Sequence, residues 1–323
     1  KILEMLFGAM DELSIGNPWY LATDVGPVID NAAKQKIDAH CRNMADQGRV
    51  IKTLSAPESG LFVAPTVIEL DGIEQLEEEI FGPVLHVCRF AASGIDAVVD
   101  SVNARGFGLT FGIHTRVDSR VEQVVKRIRV GNVYVNRNQI GAVVGTQPFG
   151  GEGLSGTGPK AGGPWYLARF LRYPISHRDQ AQAETIGIDA LNSLLPGLAG
   201  LRTTSAVPGE DLLRRIAQQQ GIEWRDRSII SIEAMPGPTG ETNQLSAHPR
   251  GVVLCLGPDR EAALSQALSA LAQQNRVAIV AEQGEQLAAL LRDNGFPAVG
   301  ADGDIDADCL QSIDGIDAVM SQA

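Results

Sequence analysis

Three groups of residues in this sequence have types and spacings that suggest chemistry. The first is the stretch Pro148-Phe149-Gly150-Gly151-Glu152-Gly153-Leu154-Ser155-Gly156-Thr157-Gly158, in which Gly151, Gly153 and Gly156 match the dinucleotide fingerprint Gly-x-Gly-x-x-Gly. Such a loop holds a pyrophosphate only where a buried strand feeds it and an amphipathic helix leaves it, because the helix N-terminus supplies the amide donors. Here Gly145-Thr146-Gln147-Pro148-Phe149 precedes the glycines, and the segment that follows carries Pro159, Gly162, Gly163 and Pro164. Neither flank can form the required element, and an acidic residue ending a second strand is missing, so the match reads as accidental. The second group is Glu77-Glu78-Glu79-Ile80-Phe81-Gly82-Pro83. Its Gly-Pro pair stiffens a turn that presents the acidic and aromatic side chains. The plainer alternative is a solvated acidic helix end with Phe81 in the core.

The third group is the thiols and imidazoles. Cys41, Cys88, Cys255 and Cys309 lie far apart with no Cys-x-x-Cys pair, which disfavours a zinc knuckle or a disulfide framework and suits a reducing cytoplasm. All four read as structural. His40, His86, His114, His177 and His248 show no ligand spacing, so no metal site is expected.

The elements that would position these residues can be read from the rest of the chain. Its 323 residues allow roughly two domains, each with its own core. The formal net charge of −12 repels phosphate backbones, which makes nucleic acid a poor partner. No apolar run approaches the ~18 residues that span a bilayer, so no membrane span is expected. Ile2, Leu6, Ala9 and Leu13 fall close to a helical stripe without a signal-like pattern, as if the chain began inside a helix of something longer.

Helices are expected at Asp30 to Gln47, Ile95 to Ala104 and Asp118 to Arg129, the last capped by Asp118 and burying Val121, Val124, Val125 and Ile128. Leu61 to Leu70 is β-rich, with Pro65 suiting an edge or bend, and Val130 to Asn136 alternates as a strand. The stretch 179–206 is polar and small, a connector with one apolar helix near Ile186 to Leu195. Beyond it Asp211 to Gln220 reads as helix and Ser228 to Ile232 as strand. Val252 to Leu256 then feeds a helix with Leu264, Ala267, Leu268 and Leu271 at i, i+3, i+4 and i+7, and Val277 to Val280, Leu287 to Leu291 and Pro297 to Val299 continue a βαβαβ rhythm. The turn Gly257-Pro258-Asp259 lacks the glycine spacing, and Asp259 would repel a phosphate. The second domain therefore has a nucleotide-binding outline and an expected structural role.

Several blocks together resemble the aldehyde dehydrogenase superfamily. Glu77 to Val84 resembles its Glu-x-Phe-Gly-Pro-Val loop, and Asn103 to Thr110 its Asn-to-Tyr-Gly-Leu segment, with Phe107 in place of the tyrosine. Gly131-Asn132-Val133-Tyr134-Val135-Asn136 with Pro148-Phe149-Gly150-Gly151 resembles its C-terminal blocks. The run Asn136 to Pro164 is similar to the glutamate semialdehyde (pyrroline-5-carboxylate) dehydrogenase module of the bacterial proline utilization A family, flavin- and NAD-dependent bifunctional enzymes. Pro236 to Asn243 and Pro249 to Leu256 resemble that family's C-terminal extension.

The resemblance implies an α/β fold: part of an aldehyde dehydrogenase catalytic domain with a C-terminal strand (residues 1–178), the connector (179–206), and a Rossmann-like extension without a nucleotide fingerprint (207–323). It implies that Glu79 and Phe81 hold the nicotinamide half of NAD. It also implies that Gly141 and Ala142 anchor the substrate carboxylate through main-chain N–H groups, and that Phe149 walls the aldehyde pocket. Residues as small as Gly141 and Ala142 leave room for an anion nest, although an ordinary flexible loop or a core phenylalanine would look the same.

In this family a cysteine thiolate attacks the aldehyde, NAD takes the hydride and a glutamate activates water. The nucleophile and general base are expected upstream of Lys1, so the chain alone is expected to be inactive. FAD is implied for the proline dehydrogenase half of the parent, with the upstream dehydrogenase domains as partners. Leu167 to Tyr173 is a terminal strand candidate of the kind that forms intersubunit flaps, which suggests a homo-oligomer or an internal substitute for one. The alternative class is a non-enzymatic assembly or lid module of a larger dehydrogenase.

Overall fold

The computed structural model describes residues 1–171, 185–199, 209–224, 228–305, 309–310 and 312–321. The chain divides into two compact units, Lys1–Val144 with Pro148–Tyr166, and Gly145–Gln147 with Leu167–Ala323.

In the first unit α1 (Ile2–Asp11) turns Leu3, Leu6, Phe7 and Met10 inward, at i, i+3, i+4 and i+7. The expected stripe is offset: Ile2 is 84% exposed and Leu13 also lies outside. Asp30 caps α2 (Asn31–Asp46) by accepting from the Ala33 amide at 2.7 Å, as its position before the helix predicts. β1 (Val50–Thr53), β2 (Thr66–Leu70) and β3 (Val84–Cys88) form a sheet in that order, β1 antiparallel and β3 parallel to the central strand. Pro65 stands just before β2, where no ladder amide is needed.

α3 (Ile95–Arg105) stops at Gly106, whose φ of 75° is the left-handed cap that glycine tolerates. β4 (Phe107–Gly108) and β5 (Thr110–Ile113) lead to α4 (Asp118–Val125), which is shorter than expected. Its N-cap is Val117, without a side-chain bond, so Asp118 opens the helix instead of capping it. Val125 faces outward, yet Ile128 and Val130 still reach the core with Val99, Ile113 and Val124. β6 (Asn132–Val135) runs parallel to β5, and β7 (Glu152–Gly153) antiparallel to β4. Tyr166–Phe170 is a 3₁₀ turn where a strand was expected. Arg172, Tyr173 and His177 lie outside the described residues.

The second unit contains β8 (Thr185–Ile186), α5 (Ile188–Leu194) and α6 (Pro196–Ala199), all within the expected connector. Leu191 and Leu198 are fully buried there, so this piece is part of the unit's core. α7 (Glu210–Gln219) follows, then a hairpin of β9 (Ile232–Met235) and β10 (Asn243–Ser246). β9 starts where the expected strand Ser228 to Ile232 would end. The remaining elements are β11 (Val252–Leu256), α8 (Arg260–Ala272), β12 (Arg276–Ala281), α9 (Gly284–Asp293), β13 (Ala298–Asp302), β14 (Asp304–Ile305) and β15 (Ala318–Ser321).

The main sheet has the order β13-β12-β11-β15 and is parallel throughout. In sequence rank that is 3-2-1-4, the order of a Rossmann half. Both faces are covered: Val253, Cys255, Val277 and Ile279 meet α7, α8 and α9, while Val252, Leu254, Ala278 and Val280 meet Leu191 and Leu198. Among the described residues no helix is long and apolar enough to cross a membrane.

Candidate functional site

The acidic turn lies between β2 and β3. It is drawn tight by two successive bonds, from the Gly82 amide to the Ile80 carbonyl (2.9 Å) and from the Val84 amide to the Gly82 carbonyl (2.8 Å), and the Thr66 amide ties in Pro83 at 3.0 Å. α2 braces it from one side. Lys36 pairs with Glu78 at 2.6 Å, and Ile37 packs so closely over Gly82 that a Cβ there would lie 2.6 Å from Ile37 Cδ1. Glu78 is thus engaged, whereas Glu79 is exposed with no ion-pair partner among the described residues. Phe81 is 81% exposed, which rules out a core phenylalanine.

One helical turn along α2, His40 Nε2 meets His86 Nε2 on β3 at 2.8 Å, with the rings edge to face. One ring must accept, so at least one is neutral. Burial holds both below the usual imidazole value; Glu78 works against this for His40, and the His40 charge adds to it for His86.

The second loop leaves β6. Gly141 is open, since a Cβ there would meet nothing within 4 Å, and among the described residues the amides of Gly141 and Ala142 donate to no protein acceptor. Ile140 and Val144 around them are exposed. Phe149, half-buried, sits where this excursion returns, exchanging both backbone bonds with Ala161 at 3.0 and 2.8 Å.

The glycines of the fingerprint face neighbouring backbone. A Cβ on Gly151 would strike the Ser155 carbonyl at 2.4 Å, and one on Gly153 the Gly106 carbonyl at 2.6 Å. No helix follows; Glu152–Gly153 is β7. Sequence reasoning missed Asn132 and Lys160. The Lys160 ammonium donates to the Gly131 and Gly150 carbonyls and to Asn132 Oδ1. The one available signal was a lysine amid glycines and prolines.

Gly141, Ala142 and Phe149 therefore share one excursion of the chain between β6 and β7, and Glu79 and Phe81 share the turn before β3. No hydrogen bond or ion pair joins the two groups among the described residues. The thiols lie elsewhere. Burial pushes Cys41 and Cys88 up, and Cys255 up to about 12, so these remain thiols near neutrality. Cys309 packs beside the Leu191 cluster. No group of three or more His, Cys, Asp or Glu side chains is gathered to hold a metal among the described residues.

Comparison with known proteins gives a consistent set of likenesses. The model of the aldehyde dehydrogenase family matches residues 1–174. The bifunctional protein PutA of Salmonella typhimurium is 44% identical over 284 residues, covering 84% of this chain and 21% of that protein. The 1-pyrroline-5-carboxylate dehydrogenase of Bacillus cereus is 39% identical over 164 residues, 50% of this chain and 32% of that one. A crystal structure of Bradyrhizobium japonicum proline utilization A superposes with a TM-score of 0.51 at 55% identity, over 52% of this chain and 17% of that chain. The chain spans about a fifth of the length of the curated PutA proteins it matches (21% for the Salmonella protein).

Proposed function

Since the chain belongs to the aldehyde dehydrogenase family, we propose that it supplies the cofactor turn and the substrate-carboxylate loop of an NAD-dependent dehydrogenase. The enzyme would oxidise L-glutamate γ-semialdehyde, which equilibrates with pyrroline-5-carboxylate, to glutamate. That activity belongs to a larger bifunctional polypeptide with a flavin-dependent proline dehydrogenase half and upstream dehydrogenase domains. The names of the relatives, PutA and 1-pyrroline-5-carboxylate dehydrogenase, support this reading. The observation that carries it is the pair of unused amides at Gly141 and Ala142 on an open rim. Two adjacent N–H groups without protein acceptors among the described residues are available to an anion, which supports the substrate's distal carboxylate as their partner.

The residues present fit NAD. Glu79 has a free carboxylate to accept from ribose hydroxyls, and Phe81 an exposed ring to pack near the nicotinamide. When bound, the nicotinamide supplies the hydride acceptor. Gly141 and Ala142 would fix the acid tail of the substrate, and Phe149 would wall the aldehyde end. Cys41, Cys88 and Cys255 are held as thiols and Cys309 packs within the second unit, which supports a nucleophilic thiolate supplied by another part of the larger polypeptide. The exposure of Leu167, Phe170 and Leu171 supports docking of another subunit at this segment.

Ala142→Asp tests the reading in the full-length protein, by following NADH formation. A carboxylate placed beside the nest should lower kcat/KM for glutamate semialdehyde about tenfold to a hundredfold, the worth of a hydrogen bond to a charged group. Butanal, without an acid tail, should change less than about threefold. Equal losses on both aldehydes, or no semialdehyde oxidation by the unaltered protein, would overturn it.

A further inference from the structure

We propose that Lys160 is a positioning residue for the aldehyde pocket: its ammonium clamps two backbone segments and Asn132 together, so that Phe149 is presented as a fixed wall. The inference rests on the reading of Phe149 as part of that pocket. Lys160 Nζ donates to the Gly131 carbonyl, to the Gly150 carbonyl at 2.9 Å and to Asn132 Oδ1 at 3.1 Å, one acceptor for each N–H of the ammonium. No carboxylate forms an ion pair with it among the described residues. A lysine placed for solubility would hold its charge in water; this one carries it to three convergent oxygens, as a bound monovalent cation would sit.

The segments it joins lie close because glycine stands at the contact. A Cβ on Gly131 would fall 1.6 Å from the Gly150 carbonyl oxygen, so bare backbone runs against bare backbone. The Gly131 and Gly150 carbonyls both turn to the same point, where their dipoles repel unless a positive charge stands between them. The lysine stem lies along Gly150, its Cγ 3.4 Å from where a Cβ would be.

Around Phe149 the remaining polar groups are also tied. Asn132 Nδ2 donates to the Pro148 carbonyl at 3.0 Å, and Asn132 Oδ1 accepts from the Gly150 amide at 3.3 Å. Phe149 itself is bonded both ways to Ala161, the residue next to Lys160. Thus the backbone of Phe149 and of both its neighbours is held by Asn132, Lys160 or Ala161. Burial depresses the Lys160 pKa, with Glu152 acting against it, as expected of an ammonium drawn from water.

The test is Lys160→Met in the full-length protein, with two independent readings. Amide hydrogen exchange in the peptide spanning residues 148–151 should quicken by about tenfold or more, since its bonds lose their clamp. The semialdehyde KM should rise by about tenfold to a hundredfold while the NAD KM stays within about twofold, a split that general unfolding would not produce. Propylammonium should partly restore the semialdehyde KM of Lys160→Ala. If Lys160→Met does not fold, Lys160→Arg serves: it keeps the charge, but its planar fork cannot meet three converging oxygens, and the same split is expected. Unchanged exchange at 148–151, or KM values for both substrates moving together, would overturn the inference. Faster exchange in a protein whose unaltered form oxidises no semialdehyde would uphold the clamp and sink the proposed activity instead.

Discussion

Replacing Gly82 with alanine tests whether α2 truly holds the acidic turn in place. The new Cβ would lie 2.6 Å from Ile37 Cδ1 and 3.3 Å from Cγ1. Unstrained carbons sit about 3.5–4.0 Å apart, so the overlap is roughly 1 Å. Ile37 is only 2% exposed and its methyl cannot swing into solvent, so either the helix or the turn must shift. Overpacking of this kind costs about 1–3 kcal/mol. Ile37→Val removes Cδ1, costs about 0.5–1.5 kcal/mol by itself, and opens the space that the alanine needs. The two losses should therefore not add: the double variant should be more stable than their sum by about 1 kcal/mol, as expected of residues in contact. Urea denaturation of the four proteins of the cycle, followed by tryptophan fluorescence, measures this. NAD affinity in the full-length protein should fall with Gly82→Ala and recover in the pair, because the turn carries Glu79 and Phe81. Losses that add within about 0.3 kcal/mol would refute the strut.

Two further outcomes follow from the same geometry. His40 and His86 both have depressed pKa values in the folded chain, so the unfolded state binds more protons below the ordinary imidazole value. The pair's contribution to stability should be complete above pH ~6.5 and fall away as pH drops through the lowered values, and His86→Gln should flatten that part of a pH–stability curve. In the second unit Asp259 accepts from the Ala262 amide at 2.8 Å, and Asp259→Ala should cost about 1 kcal/mol in thermal or urea unfolding; an unchanged midpoint would deny the cap.

Much of the fold was legible because it is written in local patterns. The polar stretch from Asp30 to Gln47 marked α2 within a residue of each end, and the Leu264, Ala267, Leu268, Leu271 spacing marked a helix whose four residues are all buried. Patterns failed where packing chose between near-equivalent faces: in α1 the larger Phe7 and Met10 take the inward side over Ile2 and Ala9. β15, four residues long at a sheet edge, alternates in burial, but its exposed Val319 removes the polar–apolar alternation that would make it stand out in sequence. In the candidate site, the turn and the open loop were visible as motifs. The Glu-x-Phe pattern selected Glu79 over Glu78, but the ion pair that occupies Glu78 was not legible, since its partner Lys36 lies 42 residues away. Lys160 was invisible for a deeper reason: two of its three acceptors are backbone carbonyls, which every residue has and no sequence spells out.

In the second unit the packing of a nucleotide fold surrounds a first βα turn whose own aspartate occupies the helix N-terminus. β11 enters α8 through Gly257-Pro258-Asp259, and a Cβ at Gly257 would lie 2.1 Å from the Ala263 nitrogen. Glycine is therefore needed there for close approach of strand and helix, the role that the last glycine plays in a dinucleotide loop. The anion's place is taken from within the chain. The Asp259 carboxylate accepts the amide bond that a phosphate would otherwise seek, and its charge would repel a phosphate from the positive end of α8. A strand order of 3-2-1-4 needs helices on both faces and tight βα turns, and both are present; it does not need a ligand. Topology and cofactor binding are thus separable demands on one sequence, with Gly257 meeting the first and Asp259 opposing the second.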